Sequence, residues 1–326
     1  MTIGSTHLVR GIGTWLACLW CCCSPAQGQV PPAIKQAILT GGRTVDGHAM
    51  AELYGPLQEH EPYRGIIVAR DVGYGPFEQQ LADVFVEKRQ GQRKRPVLIF
   101  VHGGGFTAGA RRLSRESPFY DNVALWAARH GFVAISINYR LAPAATWPAA
   151  AEDIGTAVRW ARANAASYGG NPDRLFLMGH SAGATHVASY GADRTLWRGD
   201  TPGVRGMIVI SGSFTVEAPE TAPAADRPLL TRAKAYFGSD PDKFAAESSL
   251  NGLLASRTPL LLANAEFDPD YFLRQRQQFL SAVPRDRSRG VSSVMLAGHN
   301  HMSEIYSINT SDKSLTREII TFVRRN

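Results

Sequence analysis

Short apolar runs alternate with helix-patterned stretches along most of this chain, and that alternation limits its fold more than any other feature. Residues 65–70 and 81–87 read as two early strands joined by the turn residues Gly73-Tyr74-Gly75-Pro76. Further strands are predicted over 97–102, 132–138, 175–179, 207–211, 260–264 and 292–297. Most of these later runs are nearly continuous in apolar residues, as strands buried on both faces are. Helical patterns fall over 117–130, 149–168, 181–190, 271–283 and 315–325. Gly131 stops the first, and Pro148 and Gly169-Gly170 bracket the second. Strand–helix–strand alternation calls for crossover connections, so the expected fold class is α/β, a mostly parallel eight-stranded sheet flanked by helices.

Residues 213–257 interrupt the alternation with a long Pro- and Ala-rich stretch between two strands. It reads as a small cap insertion or a long ordered loop. No internal repeat is visible, so residues 29–326 are expected to form one domain carrying that insertion. With 44% apolar and 19% charged residues over 326 positions, a disordered chain, a coiled coil and a collagen-like fibre are excluded. A chain of this length buries about three quarters of its unfolded surface. The net charge of +7 comes from basic residues spread along the whole sequence. The basic runs at 88–95 and 285–289 fall in predicted turns without interleaved aromatics, so nucleic-acid binding is not expected.

All four cysteines, Cys18, Cys21, Cys22 and Cys23, lie within an apolar stretch that follows Arg10 and precedes Ser24-Pro25-Ala26-Gln27-Gly28. A positive charge, a short apolar core and small residues have the layout of a secretory signal, expected over residues 1–28. The apolar core is too short to span a bilayer, so stable membrane insertion is not expected. Cleavage there leaves a cysteine-free protein, secreted or periplasmic, that needs no disulfide and holds no thiolate-bound metal.

Two glycine-rich motifs follow predicted strands. Gly179-His180-Ser181-Ala182-Gly183 joins a strand to a helix. A turn that sharp strains the serine, projects its Oγ above the sheet edge and aims a helix N-terminus at the reaction centre. His102-Gly103-Gly104-Gly105-Phe106 follows the 97–101 run. Consecutive glycines let backbone N–H groups converge on one point, as an oxyanion requires. A phosphate cradle is the rival reading, but the lysine of a P-loop is missing.

These motifs resemble the α/β-hydrolase superfamily, in its hormone-sensitive-lipase-like and type-B carboxylesterase branches. Asn138-Tyr139-Arg140-Leu141-Ala142-Pro143, Trp147-Pro148, Ala151-Glu152-Asp153-Ile154 and Tyr168-Gly169-Gly170-Asn171-Pro172-Asp173-Arg174 are similar to that branch as well. The resemblance implies the α/β-hydrolase fold and a catalytic triad in the chain order serine, acid, histidine. Ser181 is then the nucleophile. Asp268, in the Asp268-Pro269 step after the 260–264 strand, is the acid, with Glu266 and Asp270 as fallbacks. His301 is the base, three residues past Gly298, with His299 as its rival. Backbone N–H groups of Gly104, Gly105 and Ala182 form the implied oxyanion hole. His102 is expected to position its loop, and His180 and His186 to be structural.

His299 and His301 have no third ligand at zinc-like spacing, so no metal is expected, and no cofactor is implied. Phe106, Tyr120, Trp126, Trp147 and Phe214 are candidate pocket walls, with core packing an equal account of Trp126 and Trp160. Thr185 and His186 depart from the small residues common in the family and are expected to narrow the site. The implied activity is hydrolysis of a small-molecule ester of short acyl or small aromatic type. An amidase, a formamidase or a carbohydrate-acyl esterase would use the same triad, and a silent binding protein would have lost part of it. The polar, proline-broken 213–257 stretch argues against a lid for long-chain lipids. The resemblance also makes a homodimer through the last strand and helix an open expectation.

Overall fold

The computed structural model describes residues 1–2, 30–88 and 94–326. Apart from residues 1–2, the expected signal segment over 1–28 lies outside the described residues, as does most of the 88–95 basic run. Two helices that the sequence reading does not foresee open the described fold, α1 (Pro32–Gly41) and α2 (Gly47–Tyr54). α1 buries only Ile34 and Ile38, and α2 only Met50 and Tyr54, too few apolar positions to show a period. Asp46 caps α2 by accepting the Ala49 N–H at 2.9 Å, and Pro32 sits at the first turn of α1.

The sheet strands are β1 (Ile66–Gly73), β2 (Leu81–Glu87), β3 (Arg95–Val101), β4 (Val133–Ile137), β5 (Gly170–His180), β6 (Gly206–Ile210), β7 (Leu260–Phe267) and β8 (Val291–Asn300). They form one eight-stranded sheet in the order β1-β2-β4-β3-β5-β6-β7-β8. β1–β2 and β2–β4 pair antiparallel and every later pair is parallel, so the expected mostly parallel sheet is present. Helices α3 (Asp121–Arg129), α4 (Ala149–Asn164) and α5 (Ala182–Ala192) follow β3, β4 and β5. α9 (Asp270–Ala282) joins β7 to β8, and α10 (Ser303–Tyr306) and α11 (Ser314–Arg325) close the chain.

Alternation along each strand divides the core in two. Leu98 and Phe100 of β3 face a cluster with α1, α3 and α11, whereas Val97, Ile99 and Val101 face one with α4 and α5. Period-2 side chains on a doubly covered sheet explain why these strands read as unbroken apolar runs.

Some boundaries differ from the expected ones. α3 begins at Asp121 rather than 117, because Ser114 Oγ accepts the N–H groups of Glu116 and Ser117 and holds a turn ahead of Pro118. The 149–168 helix tightens into a 3₁₀ turn over Ala165–Tyr168, which Gly169 closes at φ +78°. The 213–257 segment is helical and not a long loop, with α6 (Arg227–Phe237), α7 (Pro241–Glu247) and α8 (Leu250–Ala255) between β6 and β7. No helix among the described residues is long and apolar enough to cross a membrane.

Candidate active site

β5 lies near the middle of the sheet, hydrogen-bonded to β3 on one side and β6 on the other. His180 ends β5 and Ala182 begins α5, so Ser181 alone makes the turn. Its backbone sits at φ +56°, ψ −123°, a region that costs a non-glycine residue about 1–3 kcal/mol. The flanking glycines make that turn possible by close approach. A Cβ on Gly179 would stand 2.4 Å from the Gly183 carbonyl oxygen, and one on Gly183 would stand 2.3 Å from that of Val101. No other side chain fits either position.

The parallel neighbours β7 and β8 bring Asp268 and His301 to the same end of the sheet. His301 Nε2 lies 2.9 Å from Ser181 Oγ, and His301 Nδ1 lies 2.8 Å from Asp268 Oδ1. Asp268 is fully buried and His301 is 1% exposed. The second Asp268 oxygen, Oδ2, accepts from Ser211 Oγ at 2.5 Å, Asn264 Nδ2 at 3.0 Å and the Ala265 N–H at 3.2 Å. Those donors fix the carboxylate so that Oδ1 remains for the imidazole. Phe272 stacks on the His301 ring at 4.6 Å and 15°, which fixes its plane.

The fallback residues go elsewhere. Glu266 accepts the Gly298 N–H at 2.8 Å, and Asp270 pairs with Arg43 at 3.3 Å. His299 faces Asp312, Nε2 to Oδ2 at 3.1 Å, with its Nδ1 3.2 Å from Ser303 Oγ. Burial opposes ionisation of Asp312, but His299 and Ser314 hold its carboxyl below the usual range. His299 and His301 therefore belong to separate polar clusters.

The loop after β3 carries the glycines. Gly103 abuts Ser181, since a Cβ there would lie 3.1 Å from Ser181 Cβ. Gly104 sits at φ +136°, where a Cβ would strike the Ala108 carbonyl at 2.0 Å. Among the described residues the N–H groups of Gly104 and Gly105 have no acceptor. Tyr139 Oη donates to the His102 carbonyl at 2.9 Å, and its ring stacks on His102 at 4.4 Å. Burial pushes His102 down to about 4, against the upward pull of the Gly103 carbonyl.

Other polar groups complete the site, and sequence reasoning did not find them. Ser211, at φ +48°, and Asn264 reach Asp268 only because β6 and β7 end beside each other. Glu304 is fully buried, and burial together with the neighbouring Asp268 pushes its carboxyl well above the usual range. An acid one turn past His301 was its only sequence signal. His180 Nε2 donates to the His301 carbonyl at 2.9 Å and lies 3.5 Å from Glu304 Oε1.

Thr185 and His186 are both buried. Thr185 Oγ1 accepts the Ser213 N–H at 3.0 Å, and His186 is fully buried among Phe106, Tyr139 and Tyr236. Tyr120, Trp126 and Phe214 are core residues packed on Phe100, Phe132 and Phe279. Among the described residues, His180, His301 and Glu304 bring three metal-ligating atoms within 4.8 Å. A cation there would compete with the bonds that His301 makes to Ser181 and Asp268.

Comparisons with known proteins find similarity to esterases. Residues 82–195 match the family described as BD-FAE. The chain is 29% identical over 247 residues to Esterase LipQ of Mycobacterium tuberculosis, covering 72% of this chain and 57% of that one. It is 31% identical over 188 residues to the Carboxylesterase NlhH of the same species, covering 53% and 56%. The chain thus spans just over half the length of these curated relatives. Among solved structures, the hyperthermophilic esterase from Pyrobaculum calidifontis superposes with a TM-score of 0.66 at 20% identity, over 91% of this chain and 98% of that one. With the strand order, the strained Ser181 turn and the glycine loop beside it, these likenesses give the chain the α/β-hydrolase fold and make it similar to esterases of the hormone-sensitive-lipase-like branch.

Proposed function

We propose that this chain is a serine carboxylesterase acting on short-acyl or small aromatic esters. The observation that carries the reading is the unbroken relay from Ser181 Oγ through His301 to Asp268, with both links under 3 Å. Ser181 Oγ attacks the ester carbonyl carbon while His301 Nε2 takes its proton. The negative charge that collects on the carbonyl oxygen is taken up by the N–H groups of Gly104, Gly105 and Ala182. The tetrahedral intermediate collapses, His301 returns the proton to the departing alkoxide, and an acyl-serine remains. Water then repeats the sequence with His301 as base and releases the carboxylic acid. Asp268 holds the ring in its working tautomer and balances the imidazolium.

The names of the curated relatives support ester hydrolysis. Three short helices over 213–257 in place of one long apolar lid support a small substrate. Export is part of the same proposal and rests on residues 1–28 alone.

A fluorophosphonate probe tests the reading, because it reacts with a serine only where a base activates it. We expect one equivalent bound, located by peptide mass spectrometry on Ser181. No adduct on folded protein, or an adduct elsewhere, would overturn the proposal and favour a ligand-binding role.

A further inference from the structure

We propose that Arg232 selects esters carrying a carboxylate a few bonds from the scissile carbonyl. This inference rests on the esterase reading and adds the charge of the preferred substrate. Arg232 lies on α6 and crosses the outer side of Gly105. A Cβ built on Gly105 would stand 2.9 Å from Arg232 Cδ and 3.5 Å from Nη1. Glycine at 105 thus leaves the space that the arginine stem occupies. From Gly103, which abuts Ser181, to Gly105 the backbone spans at most about 7 Å. The guanidinium therefore stands on the order of 10 Å from the nucleophile, the reach of one small substituent on a bound ester.

The placement of Arg232 is fixed by its helix. Tyr236, one turn later, stacks on Phe106 at 5.6 Å, and Phe237 meets the same ring edge-on at 5.5 Å. The Tyr236 carbonyl accepts the Trp147 N–H at 2.9 Å, and Tyr236 Oη accepts the Ala150 N–H at 3.2 Å. α6 is in this way clamped to Phe106 of the glycine loop by two aromatic contacts and to the start of α4 by two hydrogen bonds.

Several charged side chains of the same segment have partners of their own. Lys234 pairs with Glu220, Lys243 with Asp240, Arg257 with Asp286, and Asp226 with Arg274. Glu217 accepts from Gln275, and Arg227 donates to the Ala222 carbonyl. Arg232 is exposed and has neither a hydrogen bond nor an ion pair with another described residue. A planar cation left unpaired beside the oxyanion loop offers a bidentate seat for a carboxylate. The net charge of +7 adds a general attraction for such substrates.

Matched pairs of esters test this. One pair puts the charge on the alcohol side, 4-acetoxybenzoate against methyl 4-acetoxybenzoate. The other puts it on the acyl side, monomethyl glutarate against dimethyl glutarate. The readout is the ratio of kcat/KM for the anionic over the neutral member, in wild type, Arg232→Lys, Arg232→Gln and Arg232→Glu. In at least one pair we expect Arg232→Gln to lower the ratio about five- to tenfold, the size of one charge-assisted contact. Arg232→Lys should recover part of it, Arg232→Glu should lower it further, and added salt should shrink the wild-type ratio but not that of Arg232→Gln. Ratios within twofold across all four proteins in both pairs would overturn the inference. Absence of turnover on the neutral esters by wild type would instead overturn the esterase reading beneath it.

Discussion

Two histidine-containing regions flank Ser181, and they are built on opposite rules. On the β7–β8 side, both nitrogens of His301 are bonded and Asp268 carries four hydrogen bonds. On the β3–α6 side, His186 lies in a box of Phe106, Tyr139 and Tyr236 with neither nitrogen bonded to a described residue, and His102 Nε2 is likewise unpaired. Burial pushes His186 down to about 3, with the neighbouring His102 adding to the effect. The same side chain is thus a polar link between two partners where donors and acceptors are arranged around it, and a neutral aromatic wedge where they are withheld.

The sharpest way to break this comparison is to delete a histidine from each side. Ser181→Ala and His301→Ala should each lower kcat/KM for a short-chain ester by about 10³-fold or more, and Asp268→Asn by a comparable factor. His186→Phe, a change of shape rather than of proton chemistry, should cost less than about tenfold. Equal losses from His301→Ala and His186→Phe would merge the two regions into one.

Acid stability separates them next. His102 and His186 stay neutral in the folded protein down to about 4 and about 3, while the unfolded chain protonates near 6.5. Below that value the unfolded state binds more protons, so stability is fully present above about 6.5 and is lost as pH falls toward 3–4. Each proton taken up only on unfolding steepens the loss by up to about 1.4 kcal/mol per pH unit. Urea unfolding between pH 4 and 7 should show that slope in the wild type and a shallower one in His186→Phe.

On the triad side, Ser211→Ala removes one of the three donors on Asp268 Oδ2 and should cost about tenfold in kcat/KM. The smallest effect is expected from Glu304→Gln. Burial beside Asp268 keeps Glu304 protonated, so an amide replaces a neutral acid of the same shape. The unfolded chain releases that proton above about 4.5 and the folded one holds it, so wild-type stability falls as pH rises from there. Glu304→Gln should therefore keep its activity within a fewfold and gain thermal stability over the wild type at pH 8. A large loss of activity would mean that the proton on Glu304 takes part in the reaction.

The sequence made some of this legible and hid the rest for physical reasons. Ser181 and Gly104 were readable because a strained turn and a positive φ leave few residue choices. The strands were readable because a doubly covered sheet imprints continuous apolar runs. His301 and His299 differ by two positions, and their separation depends on Asp312, which faces His299. Ser211, Asn264 and Glu304 carry no local pattern, since their work begins only when the ends of β6, β7 and β8 meet. α1 and α2 were hidden because each buries two side chains, and Arg232 because an exposed arginine has meaning only beside Gly105.

The central claim is that Ser181, His301 and Asp268 act as one hydrolytic unit. Its most direct test is turnover of p-nitrophenyl esters from acetate to decanoate by the wild type, Ser181→Ala and His301→Ala. The account predicts turnover that peaks at short chains and collapses in both variants. Wild-type turnover that persists in His301→Ala, or its absence from folded, monodisperse wild-type protein, would contradict it.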